Sequence, residues 1–325
     1  MTLKEFKTPI MVIGIPVAFA LVFRLAFGFS GLESLWSIMT LTFFMSLPYG
    51  VGVLTIYLSS SDKAKSKRYL IFCPWIPIFI FLIVTLVFAI EGWACWIMVF
   101  PIFLFFASLG GLTCGYFKLK KSKRTNNLHI SAAIILPFFI GPIEKGIGDI
   151  PGFYRADTSI DINASKEKIW SNVTSVKEIQ PDEDRGRLTN FLQLPRPIRA
   201  ELNYEGVGAK RAAIFSGGLV FDETVLKYEH EKMMNFSIHA NPYEIPSTTF
   251  DEHIVVGGAF FNVLEGTYIL EQISSDQYRL HLYSEFKLTT TFNFYASLWG
   301  KWIMQDIQEN ILQVIKRRSE CKDAR

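Results

Sequence analysis

Four apolar runs, at roughly residues 9–29, 35–58, 69–90 and 94–117, are each long enough to cross about 30 Å of hydrocarbon as helix. Trp36, Trp75, Trp93 and Trp96 lie near the ends of these runs, where amphipathic rings favour the membrane–water interface. The first run is too long for a signal-peptide core and no small-residue cleavage site follows it, so it reads as an uncleaved helix. Arg24, near one end of that run, is expected to snorkel to the headgroups. The connecting segments alternate in charge. The N-terminus holds Lys4 and Lys7, and "SDKAKSKR" and "KLKKSKR" follow the second and fourth runs. The two intervening loops hold Glu33 and Glu91 and no Lys or Arg. Because basic residues collect on the cytoplasmic side, this pattern predicts a cytoplasmic N-terminus in a multi-pass protein of the cell (inner) membrane.

A fifth run, "LHISAAIILPFFIGPIEK" at about 128–145, is shorter and is interrupted by Pro137 and Pro142. It lacks the basic polar face of a surface helix, so the expectation is that it crosses and places the remainder outside the cytoplasm. Residues 1–150 carry 13 Lys/Arg against 6 Asp/Glu and residues 151–325 carry 20 against 24, which together give the chain's +3. A slightly acidic second half offers no electrostatic footing for nucleic acid. Cys73, Cys95, Cys114 and Cys321 form no CxxC pair, and no His/Cys spacing suits zinc, so neither a disulfide framework nor a metal or cofactor site is expected.

From residue 157 to about 320 the pattern is different. "TSIDIN" alternates as a strand, and Asn163 or Ser165 offers an N-cap for the short helix "SKEKIWSNV". "AKRAAIF", "GLVFDETVLKY", "KMMNFSIHA", "AFFNVLEGTYILEQI" and "YRLHLYSEFKLTT" read as antiparallel strands. In the last of them Tyr278, Leu280, Leu282, Ser284, Phe286 and Leu288 face one way, as expected of a sheet covered on one side. Residues 292–318 form the long helix available to cover it, with Tyr295, Trp299 and Trp302 on one stripe and Asp306 within about 40° of them. A curved sheet gripping a long helix encloses a cavity, which that stripe is expected to line.

This order resembles the SRPBCC superfamily, the START-like or helix-grip proteins that include polyketide cyclases/dehydrases and lipid-transfer domains. The resemblance rests on "SIDINASKEKIWSNV", "VGAKRAAIFSGGLVFDETVLKYE" and "NFYASLWGKWIMQDIQENILQVIKRR". It implies an α+β domain, an antiparallel sheet wrapped on a long C-terminal helix, after an all-α transmembrane region. It also implies a pocket for a hydrophobic molecule, with no catalytic set common to the superfamily. Candidate lining residues are Arg211, Phe221, Glu223, Phe236 and Phe261 on the strands, and Tyr295, Trp299, Trp302 and Asp306 on the helix.

Three function classes are open at this point. One is membrane-anchored binding or transfer of a lipid-like or polycyclic ligand, with the bilayer as its source. The second is a cyclase or dehydratase with Asp306, Glu223 and His253 as acid/base candidates, and the third is an interaction module with a filled interior. Paired carboxylates favour the first, and a lone inward carboxylate with a perturbed pKa favours the second. The bland readings of Asp306 and Glu223 are structural pairings with a basic neighbour such as Arg211. "DEH" at 251–253 cannot turn all three side chains to one ion, because successive strand residues point to opposite faces.

Overall fold

The computed structural model describes residues 3–120, 123–148, 150–240 and 257–321. His253 lies outside the described residues. The chain divides into two compact units, 1–150 with 290–292, and 151–289 with 293–325.

The first unit is helical: α1 (Leu3–Phe27), α2 (Leu41–Leu58), α3 (Lys67–Phe72), α4 (Trp75–Val87), α5 (Trp93–Leu119) and α6 (Lys123–Ile147). Among the described residues, five helical stretches are long and apolar enough to cross a membrane: 9–27, 41–58, 67–87, 93–119 and 127–147. The third joins α3 and α4 through a turn at Cys73–Pro74.

The fifth stretch stays helical through both of its prolines. Pro142 has no N–H to give to the carbonyl four residues back, that of Phe138. Trp36 supplies the missing donor, its ring N–H reaching the Phe138 oxygen at 3.2 Å. Gly141 makes room for the indole, since a Cβ there would stand 2.7 Å from Trp36 Cδ1. The carbonyl that Pro142 leaves without a helical donor is thus satisfied by a side chain.

Arg24 and Glu144 in this unit have hydrogen-bonded partners. Arg24 does not snorkel: its Nε donates to Glu91, and its Nη2 donates to the Ile90 carbonyl at 3.3 Å. The partner carboxylate neutralises the guanidinium, which makes burial the cheaper arrangement and corrects the expectation. Glu144 on α6 accepts from the backbone N–H groups of Leu41 (2.8 Å) and Thr42 (2.9 Å), and Thr40 Oγ1 accepts from that of Phe43 (3.3 Å), so that together they cap the start of α2. Helices α2 and α5 meet backbone to backbone. A Cβ on Gly52 would lie 2.0 Å from the Ala107 carbonyl oxygen, and one on Gly110 would lie 2.2 Å from that of Tyr49. Only glycine permits this approach.

The second unit is an eight-stranded antiparallel sheet with a helix across it. Strand β1 (Pro151–Ile162) leads into α7 (Lys166–Thr174), whose N-cap is Ser165, and then to β2 (Ser175–Val176). Helix α8 (Leu188–Phe191) precedes β3 (Pro197–Leu202), β4 (Lys210–Phe215), β5 (Val220–Glu229) and β6 (Met233–Ala240). Then come β7 (Phe261–Gln272), β8 (Tyr278–Thr289) and α9 (Asn293–Glu320). The spatial order is β1-β8-β7-β6-β5-β4-β3-β2, and the last strand pairs with the first. Bulges between Val225 and Lys227 and between Val263 and Glu265 bend the sheet into a curled half-barrel. Strand β8 buries Tyr278, Leu280, Leu282, Ser284, Phe286 and Leu288 and turns the alternate residues outward. Ile162, Ile169, Trp170, Tyr268, Leu280 and Leu312 form the main core, joining sheet, α7 and α9.

Candidate functional site

Two buried polar groups lie among the apolar residues of the half-barrel interior. Arg211 on β4 and Glu223 on β5 sit directly opposite one another in the strand register. They are 5% and 6% exposed, and Arg211 Nε donates to Glu223 Oε2. Arg211 Nη1 also donates to the Val173 carbonyl at 3.2 Å, in the last turn of α7, where a helix dipole favours a cation. Its guanidinium lies 4.5 Å from the centroid of the Phe236 ring and 5.8 Å from that of Tyr268.

Burial opposes the charge on Arg211, but Glu223 and Tyr268 outweigh it and raise its pKa. Burial also pushes the Glu223 carboxyl up, against the pull of Arg211. The two tendencies conflict, since a protonated Glu223 would leave a buried cation uncompensated. The facing positions of the two side chains in the strand register and the permanently charged guanidinium favour an ionised pair at neutral pH.

The second group is Gln308 on α9. It accepts from the Thr158 hydroxyl (2.8 Å) and donates to Ser284 Oγ (2.8 Å) and the Ala156 carbonyl (3.2 Å), stitching α9 to β1 and β8. Sequence reasoning missed both Gln308 and Tyr268. The signal for Gln308 was its i±4 spacing from Met304 and Leu312, which are both buried.

Asp306 is not beside Arg211. Its Oδ1 accepts from the backbone N–H groups of Arg187 (3.0 Å) and Leu188 (3.1 Å). Its Oδ2 accepts from the backbone N–H (2.8 Å) and hydroxyl (2.6 Å) of Thr189. The carboxylate therefore caps the first turn of α8. Burial raises its pKa, yet the bonds from Thr189, Leu188 and Arg187 outweigh burial and hold it below the ordinary value.

Tyr295, Trp299, Trp302 and Asp306 share a stripe, but that stripe does not face β1 and β8. The buried side chains on α9 include Ser297, Met304, Gln308, Leu312 and Ile315, which lie on the opposite side of the helix at about 100° per residue. Trp302 is exposed, and Trp299 is half-buried with its ring edge-on to Trp302. Phe236 lies inside the half-barrel, stacked on Tyr268. Phe221 and Phe261 are half-buried, packed against Phe215 and Phe286 respectively. Among the described residues, no three His, Cys, Asp or Glu side chains gather to hold a metal ion.

The architecture is a helix-grip domain that follows a helical region. No protein-family model and no curated protein matches the chain. Truncated norcoclaurine synthase from Thalictrum flavum is similar over 54% of this chain and 98% of its own, at 14% identity and a TM-score of 0.30. A START superfamily protein from Mycobacterium smegmatis is similar over 52% of this chain and 98% of its own, at 12% identity and a TM-score of 0.34. A protein from Nitrosospira multiformis is similar over 53% of this chain and all of its own, at 16% identity and a TM-score of 0.29. At these values the likenesses carry nothing about ligand or chemistry.

Proposed function

We propose that the protein is a membrane-anchored binder of a hydrophobic, lipid-like or polycyclic ligand, held between the concave sheet and α9. One observation carries this reading: the two carboxylate candidates that the structure describes are already engaged. Glu223 is paired with Arg211, and Asp306 caps α8. Neither is a free acid or base, whereas the aromatic and aliphatic surface around Phe221, Phe236 and Phe261 suits an apolar guest. The Arg211–Glu223 pair would give such a guest a polar landmark among apolar side chains. The five apolar helices would hold the domain at the bilayer, where ligands of this class are concentrated.

The test uses the full chain purified in detergent. Native mass spectrometry should detect an apolar small molecule released from it, and cis-parinaric acid should bind saturably. Phe221→Trp and Phe261→Trp, which add bulk at half-buried lining positions, should each weaken probe binding while leaving the melting temperature nearly unchanged. No released molecule together with no saturable binding would mean that the interior is filled, and the reading would fall.

A further inference from the structure

Helix α9 changes character along its length. From Leu288 to Gly300 the chain carries no charged residue, and Lys301 is the first. Asp306, Glu309, Lys316, Arg317, Arg318 and Glu320 follow. The start of the helix is not hidden: Phe294 is 69% exposed, Leu298 46% and Trp302, next to Lys301, 52%. Spaced by four residues, these three form one stripe along the helix surface. Large apolar side chains grouped on a surface mark a contact with something apolar.

Chain connectivity points to the partner. Helix α6 ends at Ile147 and β1 begins at Pro151. Four residue steps reach at most about 14 Å, so the start of β1 is tethered close to the end of a membrane-length helix. Pro151 pairs with Thr289 on β8, and α9 starts shortly afterwards at Asn293. Helix α9 then runs in the same direction as β1. A Cβ on Gly300 would touch the Phe286 ring, Gln308 bonds to Thr158, and Lys316 bonds to the Asp161 carbonyl. The aromatic start of α9 therefore lies at the tethered end of the sheet, and the charged remainder leads away from it. Phe153, 71% exposed, is at that same end.

We propose that Phe294, Leu298 and Trp302 embed in the interfacial layer of a lipid bilayer, with the exposed Lys301 reaching back to the phosphate headgroups. This inference rests on the reading of α6 as a membrane span. The charge-free turns from Asn293 to Gly300 rise about 12 Å, enough to pass through one interfacial layer of roughly 5–8 Å. Tryptophan favours that depth, and a lysine beside it can snorkel.

The experiment uses full-length protein in phosphatidylcholine–phosphatidylglycerol vesicles, in a Cys73→Ala, Cys321→Ser background. A nitroxide is attached to Leu298→Cys or Trp302→Cys, with Phe294→Cys replacing either one if it does not fold. Two further positions calibrate the readout: Ile83→Cys in α4 and Glu309→Cys farther along α9. Labels at 298 and 302 should gain collisions with oxygen and lose collisions with a soluble nickel chelate relative to 309, as the label at 83 does. Labels at 298 and 302 open to the chelate, with 83 in lipid, would overturn the docking and leave the span intact. A label at 83 that is also open to the chelate would remove the span and the docking together. Labels at 298 and 302 shielded from both reagents would mean that protein, not lipid, covers the stripe, and the proposal would fail.

Discussion

Asp306→Asn separates a structural carboxylate from a catalytic or ligand-binding one. The wild-type carboxylate accepts four hydrogen bonds, two on each oxygen. Asparagine keeps the shape and one accepting oxygen, so two of the bonds survive without their charge. Its NH₂ group then faces the Thr189 N–H and hydroxyl. The hydroxyl can rotate to accept, but the N–H cannot. One bond lost and two weakened, at a site that water partly reaches, amount to about 2 kcal/mol, given about 1 kcal/mol per neutral bond and about 1.5–3 for a charged one. For a unit of this size that lowers the melting temperature by about 4–8 °C.

The effect has a predicted pH dependence. The carboxyl's pKa in the fold is lower than its ordinary value, so its contribution is complete above the unfolded value of about 3.9. It is lost as pH falls through the folded value. Scanning calorimetry of the full chain in detergent should therefore show a constant gap between wild type and Asp306→Asn from about pH 5 to 8, closing below about pH 4. Apolar-probe affinity should be unchanged. Equal melting temperatures at neutral pH, or a gap that widens in acid, would refute the capping argument, and lost probe binding at unchanged stability would return Asp306 to the pocket.

Arg211→Met should destabilise the strand-rich unit by about 3–5 kcal/mol, because it leaves the Glu223 carboxyl buried without its cation. Arg211→Met with Glu223→Leu should recover most of that loss in denaturant titrations. Gln308→Met keeps the volume but strands Thr158, Ser284 and the Ala156 carbonyl, so a loss of about 2–3 kcal/mol is expected from the same titration. A reporter active only outside the cytoplasm should work when fused after residue 325 and stay silent near residue 64; silence at both sites would put the sheet domain inside.

The strands were legible wherever one face is buried and the other wet, and β8 is the plainest case. Its period-two pattern leaves no second register that buries the same residues. The start of β1 was less so. The alternation of Tyr154 and Ala156 with Phe153 and Arg155 begins at Pro151, seven residues before "TSIDIN", behind a Pro-Gly pair that reads as a turn. For α9 the sequence told which residues share a stripe, but not which stripe meets the sheet. Aromatic content suggested Tyr295, Trp299 and Trp302, while the sheet took Met304, Gln308 and Leu312. The partners of Asp306 were invisible for a different reason. They are mostly backbone amides of α8, a four-residue helix too short to show any period. The Arg211–Glu223 pair was closer to hand, since both positions alternate with inward apolar residues on neighbouring strands.

The meeting of α2 and α5 through Gly52 and Gly110 bears on how the helical unit can move. Where side chains separate two helices, small rolls and slides are absorbed by rotamer changes. At these two positions there is no side chain to rearrange, because carbonyl oxygens rest where Cβ atoms would be. The glycine contacts therefore resist the sliding of one helix past the other at that level. Movement in this unit then falls more easily to helices away from these glycines than to α2 and α5 against each other.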